Sequence, residues 1–442
     1  MSPRPRLYMV EAASCEPIAT RHRAAPHVSL ADAFIPVQVV ATVPQASHPA
    51  VGPAVSIPCP RVASRLAREG RAAAVCELSR GHRIGALGSV CPSRRRSRGC
   101  RPPLGRLLLV RRARQAHCLG HRSGGPSTMT SRELVCAAIE HRDTPRVPYS
   151  FLTTGETNDQ IREELGVQDV EGWLDNDLQS IGVPWWGWDG LGADWRGEAT
   201  PVSPAKVMGS GSYASLRDNV REMRDRSDKY FLVMIWGSHF EKANSARGIE
   251  NFLCDIAADY AFAKRLCTSI VDKNMVMLEN FLNIDEIDGV LLGSDWGSQR
   301  GSLMAPEVWD DLIRPGEQRE YDLVHDYGKH VWVHSCGRVD ALIPRLVEMG
   351  LDVLNPVQPE CMDLATLKAD FGADLTFWGG IGTQNILPYG TPDEVRAEAR
   401  ATRDLMSDDG GYILSPSQAL QGDVPVENIQ ALLEVAREPM PG

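Results

Sequence analysis

Short apolar runs recur along residues 129–442, at 146–152, 230–237, 287–293, 330–334, 351–355, 375–380 and 411–414. Amphipathic stretches fill several of the intervals. Residues 249–281 read as two successive helices. Residues 306–327 open on Pro306-Glu307 and contain Pro315, which must kink or divide any helix there. The stretches 340–349, 363–371 and 391–406 carry helical periodicity as well. Strand then helix, repeated this often, is the signature of a parallel sheet, either closed as a barrel or left open. The chain has no GxGxxG turn and no Walker A pattern, which weakens the reading of an open nucleotide-binding sheet.

The residues after each run separate the two sheet types further. After 230–235 come Trp236, Ser238, His239 and Glu241; after 287–293 come Ser294, Asp295, Trp296 and Gln299. The run at 330 ends in His334 and Cys336. Asn355, Gln358, Glu360 and Cys361 come after the next, then Thr383 and Gln384, and finally Ser415, Ser417 and Gln418. One polar loop would mean nothing, since loops are generally polar. Six in register match the place where a (β/α)8 barrel gathers its active site, the C-terminal ends of its strands. Asp295 and Glu360 are candidate catalytic groups. Trp236, His239, Gln299, Gln358, Gln384 and Ser417 are candidates for contact with a small-molecule substrate.

The segment Val331-Trp332-Val333-His334-Ser335-Cys336-Gly337 is chemically the most specific. Residues two apart on a strand face the same side. One imidazole and one thiol can therefore meet at a common point, and a borderline-soft ion such as zinc accepts both. Trp332 is opposite in phase to Val333 and reads as core. Trp185, Trp186, Trp188 and Trp195 suit either a flat apolar cleft or ordinary packing.

Composition divides the chain in two. Residues 1–128 hold twenty arginines, no lysine and five acidic residues, a net of +15, whereas 129–442 carry a net of −25. The first part is rich in Pro, Ser, Arg and Ala and shows no sustained period. It reads as a basic disordered arm, an Arg-rich leader or upstream sequence joined by a misplaced start. Thr130 and Glu133 spell a capping box before the apolar face of Leu134, Val135, Ala138 and Ile139, which is how a domain begins. The five cysteines after residue 128 are sparse and irregular, as suits a reducing cytoplasm rather than a disulfide framework. The acidic balance of 129–442 gives no reason to expect nucleic acid as a partner. No run of 18 apolar residues suggests a membrane span.

Residues 129–442 resemble the uroporphyrinogen decarboxylase superfamily, and most of all its corrinoid-dependent methyltransferase branch. The segments that carry the resemblance are MTSRELVCAAIEHRDTPRVP, IDGVLLGSDWGSQRGSLMAPEVW, KHVWVHSCGRVDALIPRLVEMGLDVLNPVQPECMD, WGGIGTQNILPYGTPDEVR and GGYILSPSQALQGDVPVENI. They span essentially the whole of 129–442 in family order, and HSCG and NPVQPE are the most specific. The resemblance implies an α/β fold, a distorted (β/α)8 barrel, with its site at the mouth.

Two chemistries come with the family. The decarboxylases use an N-terminal arginine-rich loop to hold a polycarboxylate tetrapyrrole. Here the stretch after Pro148 reads Tyr149-Ser150-Phe151-Leu152-Thr153-Thr154-Gly155, without arginine, which counts against that substrate. The methyltransferases hold zinc through a His-x-Cys pair and a later cysteine, and a methyl group passes between a corrinoid and a thiol. His334 and Cys336 match the first two ligands. The third falls near 415–418, where this chain has no cysteine. Cys361 is the candidate replacement, with Glu360 or His239 as a fourth donor. No D-x-H-x-x-G cobalamin pattern occurs, so methylcobalamin would be carried by a separate corrinoid protein. The alternatives are a decarboxylase in porphyrin biosynthesis or of another carboxylated substrate, and a non-catalytic barrel that binds a ligand.

Overall fold

The computed structural model describes residues 129–188 and 206–440. The basic segment 1–128 and Trp195 lie outside the described residues. Within them the expected alternation becomes a sheet of seven parallel strands. These are β1 (Leu178–Ile181), β4 (Tyr230–Ile235), β5 (Gly289–Gly293), β8 (His330–His334), β9 (Val353–Val357), β10 (Thr376–Ile381) and β11 (Tyr412–Pro416), adjacent in that order. Two hairpins complete the strand set: β2 (Pro184–Gly187) with β3 (Lys206–Gly209), and β6 (Gly297–Ser298) with β7 (Gly301–Ser302).

The eighth place in the ring belongs to residues 148–151, which form a bridge rather than a strand. Leu414 N–H donates to Pro148 O (2.9 Å) and Ser150 N–H to Leu414 O (3.1 Å), while Asp177 N–H, just before β1, donates to Tyr149 O (2.9 Å). A regular ladder fails here for identifiable reasons. Pro148 has no N–H to give. Tyr149 N–H goes to the Asp177 carboxylate (2.9 Å) and Phe151 N–H to the Asn176 side chain (2.8 Å), so side chains take the acceptor role of a partner strand.

Strand phase divides the core into two. Outward residues such as Phe231, Val233, Val290, Leu292, Val331, Val333, Leu354 and Phe377 pack under the helices. Inward residues Leu178, Tyr230, Leu232, Leu291, Trp332, Val353, Trp378 and Ile413 fill the barrel, and the helix Ser131–Ile139 closes one end with Val135, Cys136, Ala138 and Ile139. That helix begins at the expected capping box of Thr130 and Glu133. Trp332 meets Trp378 edge-on at 5.5 Å, a favourable arrangement of ring quadrupoles. Its indole N–H donates to Tyr230 Oη (3.2 Å), so the buried donor is satisfied. Gly289 on the neighbouring strand makes room, because a Cβ there would lie 2.8 Å from Trp332 Nε1.

The outer layer agrees closely with the sequence pattern. The stretch 249–281 is two helices, Ile249–Ala258 and Tyr260–Leu282, and Pro315 lies in the first turn of Arg314–Asp326, just after the break at Ile313 that separates it from Pro306–Leu312. Thr391 and Glu394 form a second capping box, on the helix Pro392–Met406. Among the described residues no helix is long and apolar enough to cross a membrane.

Candidate active site

His334 is the last residue of β8 and shares the inward phase of Trp332. Its ring is fixed from two sides. Trp236, beyond the end of β4, packs edge-on at 5.0 Å between centroids. Asn355, one strand over on β9, places its Oδ1 2.6 Å from His334 Nδ1. The amide orientation is set at its other end, where Asn355 Nδ2 donates to Trp378 O (3.0 Å). An amide oxygen only accepts, so His334 carries its proton on Nδ1 and turns the lone pair of Nε2 toward the mouth.

Cys336 meets that lone pair, with Sγ 3.2 Å from Nε2. Asp295, after β5, reaches both residues. Its Oδ1 accepts from Cys336 N–H (2.8 Å) and lies 3.8 Å from His334 Nε2. Asp295, His334 and Cys336 thus present oxygen, nitrogen and sulfur donors within 4.8 Å of one another. Gln418, beyond β11, donates its side-chain N–H to Cys336 Sγ (2.8 Å). Burial, and then the charge of Asp295, push the Cys336 thiol well above its ordinary pKa. Glu241 accepts from Asp295 N–H (3.2 Å); burial and the neighbouring Asp295 raise its carboxyl to about 7.

Glycine holds the loop in shape. Gly337 has φ +78°, and its N–H donates to Gln358 Oε1. A Cβ on Gly337 would sit 2.7 Å from the backbone of Gly297 and Ser298, so the β6–β7 hairpin rests directly on this turn. Arg338 N–H ties the two together through Ser298 O (2.8 Å).

The remaining candidates divide. Trp236 touches His334, and Gln358 holds the adjoining turn through Gly337 N–H. Cys361 does not join it: its Sγ–H donates to Gln299 Oε1 (3.1 Å), and Asp295 stands as third donor instead. Glu360 Oε1 accepts from Gln384 N–H (3.0 Å), while its Oε2 is buried without a partner. Gln384 is exposed, and Ser417 is buried with its Oγ 3.4 Å from Thr383 Oγ1. His239 turns away from the mouth. It is fully buried beside Glu317 and Glu320, where no substrate reaches it. Trp185, Trp186 and Trp188 are buried as core, and the Lys242 and Lys273 ammonium groups lie 4.9 and 4.8 Å from the Trp186 ring centroid.

Sequence reasoning assigned no role to Asn355, Gln418 or Glu241. Glu241 and Gln418 stand in polar stretches after strands and Asn355 in the middle of β9, and that position was the available signal. Their partners are long-range contacts that no spacing shows.

A curled parallel sheet with a mixed nitrogen, sulfur and oxygen donor group at its strand ends defines an α/β barrel protein whose mouth gathers side chains that could hold a metal ion. Residues 202–439 match the uroporphyrinogen decarboxylase (URO-D) family, and the chain belongs to it. None of the curated proteins compared with the chain matches it. Among solved structures it is similar to a methyltransferase from Methanosarcina mazei, with a TM-score of 0.52 and 13% identity over 70% of this chain and 98% of that one. At that identity the likeness shows the fold. A 3-keto-D-glucoside 4-epimerase from E. coli, at a TM-score of 0.27 and 11% identity over 50% of this chain and 91% of that one, is too distant for argument.

Proposed function

We propose that this chain is a metal-assisted methyltransferase that passes a methyl group between a corrinoid and a thiol or other small acceptor. The observation that carries the reading is the convergence of Asp295, His334 and Cys336 within 4.8 Å at the barrel mouth. The donor set fits zinc, which takes imidazole, thiolate and carboxylate in one site. The support around it also fits. Asn355 fixes the His334 tautomer that exposes Nε2, as partners of metal-bound histidines do.

When bound there, zinc would lower the pKa of an acceptor thiol and supply a thiolate at neutral pH. His334, Cys336 and Asp295 would hold the ion. Cys336 must give up its proton to serve, and Gln418 N–H on Sγ stabilises the resulting thiolate. Glu241, a carboxyl hydrogen-bonded to Asp295 N–H, is placed to take or return a proton beside the site. Trp236 beside His334 offers an apolar wall to an incoming acceptor. The corrinoid would arrive on a separate protein partner, and Glu360, Gln299 and Gln384 are proposed contacts at the rim.

The test is made on the full chain. Its metal content is measured in wild type and in Cys336→Ser, and methylcobalamin and a thiol are then supplied as donor and acceptor. The expected result is one equivalent of zinc lost in the variant, together with loss of thiol methylation. Equal metal in both proteins would sink the reading. So would carbon dioxide release from a carboxylated substrate at a rate unmoved by chelator, which marks a decarboxylase.

A further inference from the structure

Behind the mouth lies a second donor group, which shares no donor residue with the first. His239 opens the helix His239–Arg247 after β4, and Glu317 and Glu320 sit one turn apart on the helix Arg314–Asp326. Residues three apart on a helix share a face, so both carboxylates point at the imidazole. All three side chains are fully buried, and their donor atoms lie within 4.8 Å of one another.

A buried histidine between two carboxylates would ordinarily be an imidazolium with both N–H groups bonded. That is not the geometry. Neither His239 nitrogen has a hydrogen-bond partner, and Glu317 Oε2 has none either. His239 Nδ1 stands 3.2 Å from Glu317 Oε1 without an aligned N–H bond. Two ligands of one tetrahedral ion, each bound at about 2.0–2.1 Å, are separated by about 3.3 Å without bonding to each other. The spacing is that of neighbouring ligands.

The surroundings orient the carboxylates. Ser238 Oγ donates to Glu320 Oε2 (3.0 Å), Asn274 Nδ2 to Glu320 Oε1 (2.7 Å) and Ser294 Oγ to Glu317 Oε1 (3.2 Å). Hydroxyl and amide donors placed this way fix ligand carboxylates in metal sites. Lys242 is a nearby cation: its Nζ donates to Asn274 Oδ1 (2.8 Å), and its charge also acts on Glu320.

We infer that His239, Glu317 and Glu320 form a buried structural site for a divalent transition-metal cation. One nitrogen and two carboxylate oxygens suit zinc or a neighbouring first-row ion. The ion would pin the loops after β4 and β5 to the outer helix. The inference does not depend on the methyltransferase reading, because no residue of the Asp295–His334–Cys336 group is a ligand here.

The experiment uses the full chain expressed with zinc sulfate, and metal is counted in wild type, Cys336→Ser, Glu317→Gln and the double variant. Cys336→Ser is expected to retain one equivalent, and the double variant none. Should Glu317→Gln fail to fold, Cys336→Ser combined with His334→Ala and loaded with cobalt chloride still decides, because the mouth then keeps neither imidazole nor thiol. Cobalt d–d bands without thiolate charge-transfer bands are expected from a nitrogen and oxygen site. Cys336→Ser without tightly bound metal, or its combination with His334→Ala without cobalt bands, would overturn the inference and leave an ionic network. Metal lost in Glu317→Gln but unchanged in Cys336→Ser would uphold it and instead refute the zinc site at the mouth.

Discussion

Gly337→Ala tests whether the turn after His334 and Cys336 depends on two backbones in contact. The new Cβ would face two obstacles. At φ +78° an L side chain crowds its own carbonyl, a cost of about 1–2 kcal/mol. It would also lie 2.7 Å from Gly297 C and from Ser298 N, and 2.8 Å from Ser298 O. These are backbone atoms, so no rotamer change relieves the clash, and overpacking of this kind costs about 1–3 kcal/mol. Together the two terms come to about 2–5 kcal/mol if the hairpin stays. If the β6–β7 hairpin retreats instead, it draws on Asp295, two residues before Gly297, and loosens the Asp295–Cys336 contact. Urea unfolding reads the first outcome as a lower midpoint, and a competition titration with a chromophoric chelator reads the second as weaker zinc binding. Gly155→Ala is the control, since a Cβ there meets nothing within 4 Å. A Gly337→Ala protein with both the wild-type midpoint and the wild-type zinc affinity would refute the reasoning.

Asn355→Ala removes the acceptor that sets the His334 tautomer and is expected to weaken zinc binding by about 10–100-fold, read by the same titration. Trp332→Ala empties the barrel interior beside Trp378 and should destabilise by about 3–5 kcal/mol in urea unfolding. Glu438 is held at about pKa 2, first by its hydrogen bond with Arg400 and then by that with Arg403. Its folded-state pKa is depressed, so its stabilising contribution is present above about pH 4.5 and is lost as pH falls through about 2. Solvent screening keeps it below about 1 kcal/mol. Glu438→Gln should flatten that acid limb in a series of thermal melts and leave the neutral midpoint lowered by no more than this.

The parts of the fold written in local pattern were legible in the sequence. Pro315 marks a helix break because a proline lacks the N–H that a continuous helix would need there and is tolerated only in a first turn, where it stands. Thr130 with Glu133, and Thr391 with Glu394, cap helices because the box is a contact between residues three apart. The phase of β8 placed His334 and Cys336 on one side, and the structure has them 3.2 Å apart. The strand β1 escaped notice because Leu178-Gln179-Ser180-Ile181 is neither an apolar run nor an alternation. The run at 146–152 looked like a strand and is only a bridge, because Pro148 lacks an N–H and the side chains of Asn176 and Asp177 stand in for the ladder. Glu317 and Glu320 lie on a strongly charged helix, and only its docking against the loops after β4 and β5 buries them. Gln418 and Asp295 meet Cys336 across 82 and 41 residues of sequence, a separation over which spacing carries no information.

The helix His239–Arg247 explains how the mouth and the buried group can be separate and still be held together. Its N-cap is Ser238, a residue type that ordinarily bonds the first-turn N–H groups. Ser238 makes no such bond, and its hydroxyl goes to Glu320 instead. A local interaction has been given up for a long-range one, which fixes the helix start against Arg314–Asp326. Two residues beyond His239, Glu241 accepts from Asp295 N–H on the other side. One helical turn therefore faces inward to the buried carboxylates and toward the mouth at once. Ser294 completes the link, since its hydroxyl donates to Glu317 while its backbone N–H donates to His334 O (2.8 Å). Neither path requires a ligand of one group to serve the other. A change in the buried group would reach His334 through the position of the β5 loop, not through a shared donor atom.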